Sequence, residues 1–286
     1  VSLKTIRLGG LLAAGFSLAA CTGAQILNAT ISRHGVTVTQ DVTYGDLPRE
    51  KLDVYRPEGV SHAPVVVFIY GGSWNSGSKA MYPFVAETLA RRGNIVVVPD
   101  YRLYPQIRYP AFLQDCARAV AWTQAHLGEI GGDPHRVFLM GHSAGAYNAV
   151  MLAVDPHWLA EAGASRAELA GVIGLAGPYD FLPIVDPEVQ AVFASAHDSP
   201  ATQPVNHVDP HAPPMLLLAG DKDTTVKPRN TLSMAAALRA SGDQVQTRIY
   251  PGINHIDLII AIAPIFQNKA PVLQDIESFI QSTGQR

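Results

Sequence analysis

Cysteine is scarce in this chain: Cys21 and Cys116 are the only two in 286 residues. Stability must therefore come from a buried core and not from a disulfide framework. Charge is sparse too, at 16% Asp, Glu, Lys and Arg against 48% hydrophobic residues. The formal net charge of −3, with Lys and Arg scattered, leaves no basic stripe for nucleic acid and no solvating tail of like charges. Internal repeats are absent, as is any linker-like stretch that would separate two domains. A chain of this length and apolar content can bury one large core, and a single domain is the default.

Residues 1–20 follow a different logic from the rest. Lys4 and Arg7 precede an apolar stretch over residues 11–20 that is too short and too rich in small residues to span a bilayer, which is the pattern of a secretory signal. Its end, Leu18-Ala19-Ala20-Cys21, resembles the bacterial lipobox, in which the cysteine is lipidated through its sulfur and becomes the first mature residue. That resemblance implies a lipid-anchored protein of the cell envelope with its membrane contact at Cys21, and Thr22 in the next position favours the outer membrane. Residues 21–35 would then be a tether and residues 36–286 the folded domain. With Cys21 occupied, Cys116 is the one remaining thiol. It sits in a helical pattern over residues 112–122, where a buried, inert thiol is expected.

From residue 36 strand-like runs alternate with helix-like segments, the order that implies βαβ units and a mainly parallel sheet. Strands are expected near residues 36–44, 52–55, 64–70, 94–99, 136–140, 171–176, 215–219 and 245–250. Helices are expected to about residue 92, over 111–127 and from 144, with one long helix closing the chain. The sheet thus has about eight strands, with helices on both faces. Between residues 177 and 214 the pattern dissolves into Pro, Asp, His and Ser, so residues 178–213 read as a lid or a substrate loop.

Gly141-His142-Ser143-Ala144-Gly145 has the form Gly-x-Ser-x-Gly and stands between a strand and a helix. In that context a sharp turn exposes the serine oxygen and the glycines prevent clashes. A serine hydroxyl is a poor nucleophile at neutral pH, so it needs a base, and the base needs an acid to fix its tautomer. Downstream, Asp223 follows the strand at 215–219 and His255 follows the strand at 245–250, both at carboxyl ends, where open α/β sheets place ligands. Asp221 competes with Asp223 for the acid; Asp257 lies too near His255 in sequence. Of the ten histidines, His126, His135 and His142 flank turns, and His197, His207 and His211 fall in the irregular segment. Pro210 between His207 and His211 argues against a paired metal site. The turn Gly71-Gly72-Ser73 follows a buried strand, and its glycines allow the N–H groups of Gly72 and Ser73 to point inward with that of Ala144 as an oxyanion hole. Trp74, Tyr104, Tyr179 and Phe181 lie near strand ends as candidate substrate-pocket residues.

Taken together, the segments at 70–74 (Tyr-Gly-Gly-Ser-Trp), 100–105 (Asp-Tyr-Arg-Leu-Tyr-Pro), 131–136, 141–145, 177–180 and 220–226 resemble the carboxylesterase and lipase group of α/β-hydrolases. They are most similar to the branch with bacterial feruloyl-esterase-like and kynurenine-formamidase-like enzymes. The match runs in order over residues 50–260. It implies a cofactor-free serine carboxylesterase of the α/β-hydrolase fold, and it makes Asp223, the last Asp of Gly-x-x-Asp-x-x-Val, the triad acid. One departure is Tyr70, where the family usually has His before the two glycines.

The expected activity is hydrolysis of small, short- to medium-chain carboxylic esters. Ser143 attacks, His255 acts as base and an acyl-enzyme forms. An amidase or formamidase would use the same triad. A peptidase is disfavoured by the lack of an extra β-rich domain, and a surface-anchored binding module is disfavoured by the retained Ser, Asp, His and glycine turn.

Overall fold

The computed structural model describes residues 27–29 and 34–283. The signal segment and Cys21 lie outside them. Eight strands form one sheet: β1 (Val36–Thr43), β2 (Lys51–Pro57), β3 (Ala63–Ile69), β4 (Ile95–Pro99), β5 (Gly132–His142), β6 (Leu169–Leu175), β7 (Met215–Gly220) and β8 (Val245–Tyr250). Their order across the sheet is β1-β2-β4-β3-β5-β6-β7-β8. The pairs β1–β2 and β2–β4 are antiparallel, and the pairs from β4 through β3 to β8 are parallel.

The parallel strands read as unbroken apolar runs because both of their faces are covered. Val65 to Ile69, Val137 to Met140 and Leu217–Leu218 are fully buried. The two edges differ. In β8 half-buried and exposed residues alternate, and most of β1 is exposed, as strands with one wetted face require.

Nine helices cover the sheet among the described residues: α1 (Pro83–Ala90), α2 (Ala111–Ala125), α3 (Leu127–Ile130), α4 (Ala144–Val154), α5 (His157–Glu161), α6 (Pro187–Phe193), α7 (Arg229–Ser241), α8 (His255–Ile260) and α9 (Val272–Ser282). All 11 residues of α4 are buried. This helix, Ala-rich and apolar all round, therefore runs through the core and not along its surface. In α9, Val272, Leu273, Ile276, Phe279 and Ile280 are buried, a spacing that gives one apolar stripe against the sheet.

One expectation needs correction. The single long terminal helix is in fact two helices, α8 and α9, because Pro264 and Pro271 lack the N–H that a continuous helix would use. Before β1, the Asn28 side chain accepts from Phe84 N–H (3.1 Å) and donates to the Ala80 carbonyl (3.3 Å), and Leu27 is buried. Residues 178–213 contain α6 and several 3-10 turns, and they are pinned to the domain. Tyr147 Oη donates to the Thr202 carbonyl (2.7 Å), and Gln203 Oε1 accepts from Phe181 N–H (2.7 Å).

Candidate active site

Ser143 stands between β5 and α4 with φ +55°, a left-handed conformation that costs a non-glycine residue about 1–3 kcal/mol and persists only where its surroundings enforce it. They do so through very close packing. A Cβ on Gly145 would lie 2.0 Å from the Ile69 carbonyl oxygen, and one on Gly141 would lie 2.2 Å from that of Gly145. Only glycine fits at either position, which is the physical content of the Gly-x-Ser-x-Gly spacing. The Ser143 N–H is tied to the Leu175 carbonyl of β6 at 2.8 Å.

His255 is the first residue of α8, whose N-cap is Asn254. The Asn254 Oδ1 accepts from Ile256 and Asp257 N–H at 3.0 and 2.8 Å, so the cap sets where the helix begins and thus where His255 sits. The His255 Nδ1–H donates to Asp223 Oδ2 at 2.7 Å. Asp223 is buried, and its other oxygen accepts from Thr225 and Val226 N–H at 2.9 and 2.8 Å. Both carboxylate oxygens therefore have partners, which fixes the carboxylate orientation. The competing acids go elsewhere: Asp221 Oδ1 accepts from Gly252 N–H at 2.7 Å, and Asp257 pairs with Lys269 at 2.8 Å.

The turn after β3 meets the serine directly, since a Cβ on Gly71 would fall 2.9 Å from Ser143 Cβ. Gly72, Ser73 and Trp74 follow with φ of +126°, +49° and +57°. Among the described residues, the N–H groups of Gly72, Ser73 and Ala144 have no hydrogen-bond acceptor. For Ala144 this follows from its place as the first residue of α4.

Two side-chain systems hold this strained turn. The Trp74 indole is buried, lies edge-on to Tyr147 and Phe193 and stacks on Phe112, and its Nε1–H donates to Asn148 Oδ1 on α4 at 3.0 Å. On the other side, Tyr70 Oη donates to Asp100 Oδ1 (2.7 Å) and accepts from Arg49 Nη2 (2.8 Å). The same Arg49 nitrogen donates to the Gly77 carbonyl at 2.7 Å, closing the turn's far end. Burial pushes the Tyr70 phenol well above its ordinary value. It therefore stays a neutral donor.

A cleft of about 370 Å³ opens at Ser143. Ser73, Trp74 and Ala144 line it beside the serine. Phe181, Ile184, Val185 and Val189 form one wall, and Thr224, Thr225, Lys227 and Arg229 another. Of the four aromatic residues expected here, Trp74 and Phe181 line the cleft, whereas Tyr104 and Tyr179 do not. Tyr179 is fully buried, with its hydroxyl over Gly174, where a Cβ would lie 2.1 Å from it. The Tyr104 ring lies under the Arg108 guanidinium, 5.3 Å from its centroid.

His142 was the residue whose place sequence reasoning missed. It is buried, its ring is 4.8 Å from that of His255, and its Nε2–H donates to the His255 carbonyl at 3.2 Å. Burial, reinforced by the neighbouring His255, holds its pKa well below the ordinary imidazole value. Its Nδ1 is buried with no partner among the described residues, a cost of about 1–3 kcal/mol for an orphaned polar atom. Among the described residues no group of three or more His, Cys, Asp or Glu is placed to hold a metal ion.

A family model described as BD-FAE matches residues 52–238, more than half of the chain. The chain belongs to the BD-FAE family. It is 31% identical over 247 residues to a probable isoprenylcysteine alpha-carbonyl methylesterase of Arabidopsis thaliana, an alignment covering 78% of this chain and 52% of that protein. It is also 31% identical over 236 residues to esterase LipC of Mycobacterium tuberculosis, covering 75% and 58% respectively. This BD-FAE chain thus spans only between half and three-fifths of the length of these relatives. Among solved structures, an esterase from Pyrobaculum calidifontis superposes with a TM-score of 0.77 at 21% identity, covering 98% of this chain and 95% of that one. A bacterial heroin esterase does so equally well, at 21% identity over 99% and 95%. The fold of this BD-FAE protein is therefore that of the α/β-hydrolases.

Proposed function

We propose that this protein is a serine hydrolase that cleaves small, short- to medium-chain carboxylic esters through an acyl-enzyme. The observation that carries the reading is the buried His255–Asp223 hydrogen bond of 2.7 Å, formed beside a serine held at φ +55°. With Nδ1–H committed to Asp223, the Nε2 lone pair of His255 is left to accept the Ser143 proton as Ser143 Oγ attacks the ester carbonyl. The oxyanion that forms is met by the free N–H groups of Gly72, Ser73 and Ala144, donors that need no reorganisation. The imidazolium then returns its proton to the departing alcohol, and water, activated by the same base, releases the acid and restores Ser143. The esterase names of the sequence relatives support this chemistry. A 370 Å³ cleft, near the small end of the roughly 300–1,000 Å³ typical of ligand sites, supports a small substrate.

The test is a chain-length series of p-nitrophenyl esters, with an aryl amide and a formanilide beside it. Ser143→Ala is expected to lower kcat by about 10⁴-fold or more while leaving the circular dichroism unchanged. A folded Ser143→Ala variant with near-native turnover would refute the assignment, and faster cleavage of the amide would make the enzyme an amidase. The Leu18-Ala19-Ala20-Cys21 sequence supports an envelope protein anchored by lipid at Cys21. In a bacterial host, labelled palmitate should enter the wild type and not Cys21→Ser; labelling of both would sink that proposal.

A further inference from the structure

The proposed mechanism has no use for His142, yet the chain buries an imidazole there, leaves its Nδ1 without a partner, and commits its Nε2–H to one atom, the His255 carbonyl. Shape alone does not call for this. An aliphatic side chain would fill the space without an orphaned nitrogen. Ser143 follows β5 and His255 follows β8, three strands away in the sheet. With about 4.8 Å between neighbouring strands, β5 and β8 lie some 14 Å apart in the sheet, and ordinary adjustments of sheet twist act on the segments that bring the nucleophile and its base together. The His142–His255 hydrogen bond bypasses the intervening strands, because it joins the residue covalently preceding the nucleophile to the backbone of the base.

We infer that His142 is a positioning residue that sets the distance between Ser143 and His255 through its Nε2–H bond to the His255 carbonyl. This inference rests on His255 being the base. Its neutrality is part of the design. With the two rings 4.8 Å apart, a charged His142 would oppose the imidazolium that His255 becomes when it takes the serine proton. Burial of His142 prevents that.

The experiment compares three substitutions in the full chain. His142→Gln keeps an N–H donor at nearly the reach of Nε2, His142→Asn keeps an amide too short to reach the carbonyl, and His142→Leu fills the volume without a donor. Each is assayed for kcat and KM on p-nitrophenyl butyrate, and for the rate of covalent inactivation by a p-nitrophenyl phosphonate, which reads serine attack without deacylation. Asn and Leu are expected to lower kcat and the inactivation rate together by about 10- to 100-fold, with KM within about 2-fold, whereas Gln stays within about 3-fold of wild type. Asn carries the comparison if Leu fails to fold. Folded Asn or Leu variants with wild-type kcat would overturn the inference, and so would an equal loss in all three. A wild-type protein that neither hydrolyses the ester nor takes up the phosphonate would instead refute the esterase reading itself.

Discussion

Tyr70→Phe tests whether the residue before the two glycines is a structural strut or part of the chemistry. The change removes one oxygen from a fully buried ring and leaves the ring's volume and its stacking on Tyr101 and Tyr82 in place. Two hydrogen bonds go with that oxygen: the one donated to Asp100 at 2.7 Å and the one accepted from Arg49 at 2.8 Å. Hydrogen bonds to charged groups contribute about 1.5–3 kcal/mol each. Asp100 Oδ1 keeps the Lys79 N–H at 2.8 Å and the Arg49 guanidinium at 3.6 Å, and Arg49 keeps the Gly77 carbonyl. The net loss is therefore that of about one such bond, about 1.5–3 kcal/mol. For a domain of this size that is a fall in Tm of about 3–12 °C. The proposed oxyanion donors are backbone groups and the Trp74–Asn148 bond is untouched, so kcat on p-nitrophenyl butyrate is expected to stay within about 3-fold at 25 °C. Calorimetry and steady-state kinetics on the same preparation decide it. An unchanged Tm would refute the energetic argument. A normal Tm with kcat reduced more than about 10-fold would show that the phenol takes part in catalysis.

Two further expectations follow from buried groups. Cys116 is fully buried, its thiol raised well above the ordinary value by that burial and then by Asp115 beside it, so it is a poor thiolate. Native protein in which Cys21 is replaced should give no reaction with an aromatic disulfide reagent over an hour and one thiol per chain after unfolding; fast native labelling would contradict the packing. His142 makes the fold acid-sensitive. Its folded pKa is depressed, so above about pH 6.5 both states are neutral and it adds no pH dependence, whereas below that only the unfolded state takes up the proton. Stability falls by about 1.4 kcal/mol per pH unit on this account, until the folded pKa is reached. Urea unfolding at pH 7.5 and 5.5 should show His142→Gln losing about 1 kcal/mol less than wild type; equal losses would mean that His142 is not buried neutral.

Much of the architecture can be read along the chain because the parallel strands are continuous apolar runs and their order confines each functional residue to a strand's carboxyl end. That logic singled out Ser143, Asp223 and His255 as candidates, and the structure brings the last two into contact. It failed where direction, not position, decides the outcome. Tyr179 does follow a strand end, but its ring turns inward over Gly174, a contact that no local pattern encodes. His142 was read as a turn-flanking histidine because its partner lies 113 residues away. The same holds for the buried ion pairs. Asp115 binds Arg102, and Lys79 binds both Asp53 and Asp41, pairings between segments that meet only in the folded chain, whereas Asp115 with Arg118 is a local i,i+3 pair within α2. The break between α8 and α9 is different, since Pro264 and Pro271 announced it in the sequence.

Strain gathers at one edge of this sheet. Ser73, Trp74, Ser143 and Ala176 all have positive φ between +49° and +57°, and all follow carboxyl ends of β3, β5 or β6. At about 1–3 kcal/mol each, these four residues carry a cost comparable to the whole net stability of an ordinary domain. Such a cost persists only against a rigid backing. Here the backing is α4, buried along its entire length, which begins at Ala144 directly after Ser143 and presents Asn148 to the indole of Trp74. One helix thereby holds the serine turn from its first residue and the glycine turn from its fifth. The N–H of Ala144 and those of Gly72 and Ser73 come from loops 70 residues apart in sequence, yet they are fixed to the same rigid body. The proposed oxyanion hole, assembled from two loops, keeps its geometry only if the loops cannot move independently, and the Trp74–Asn148 bond is a direct side-chain link that opposes such movement.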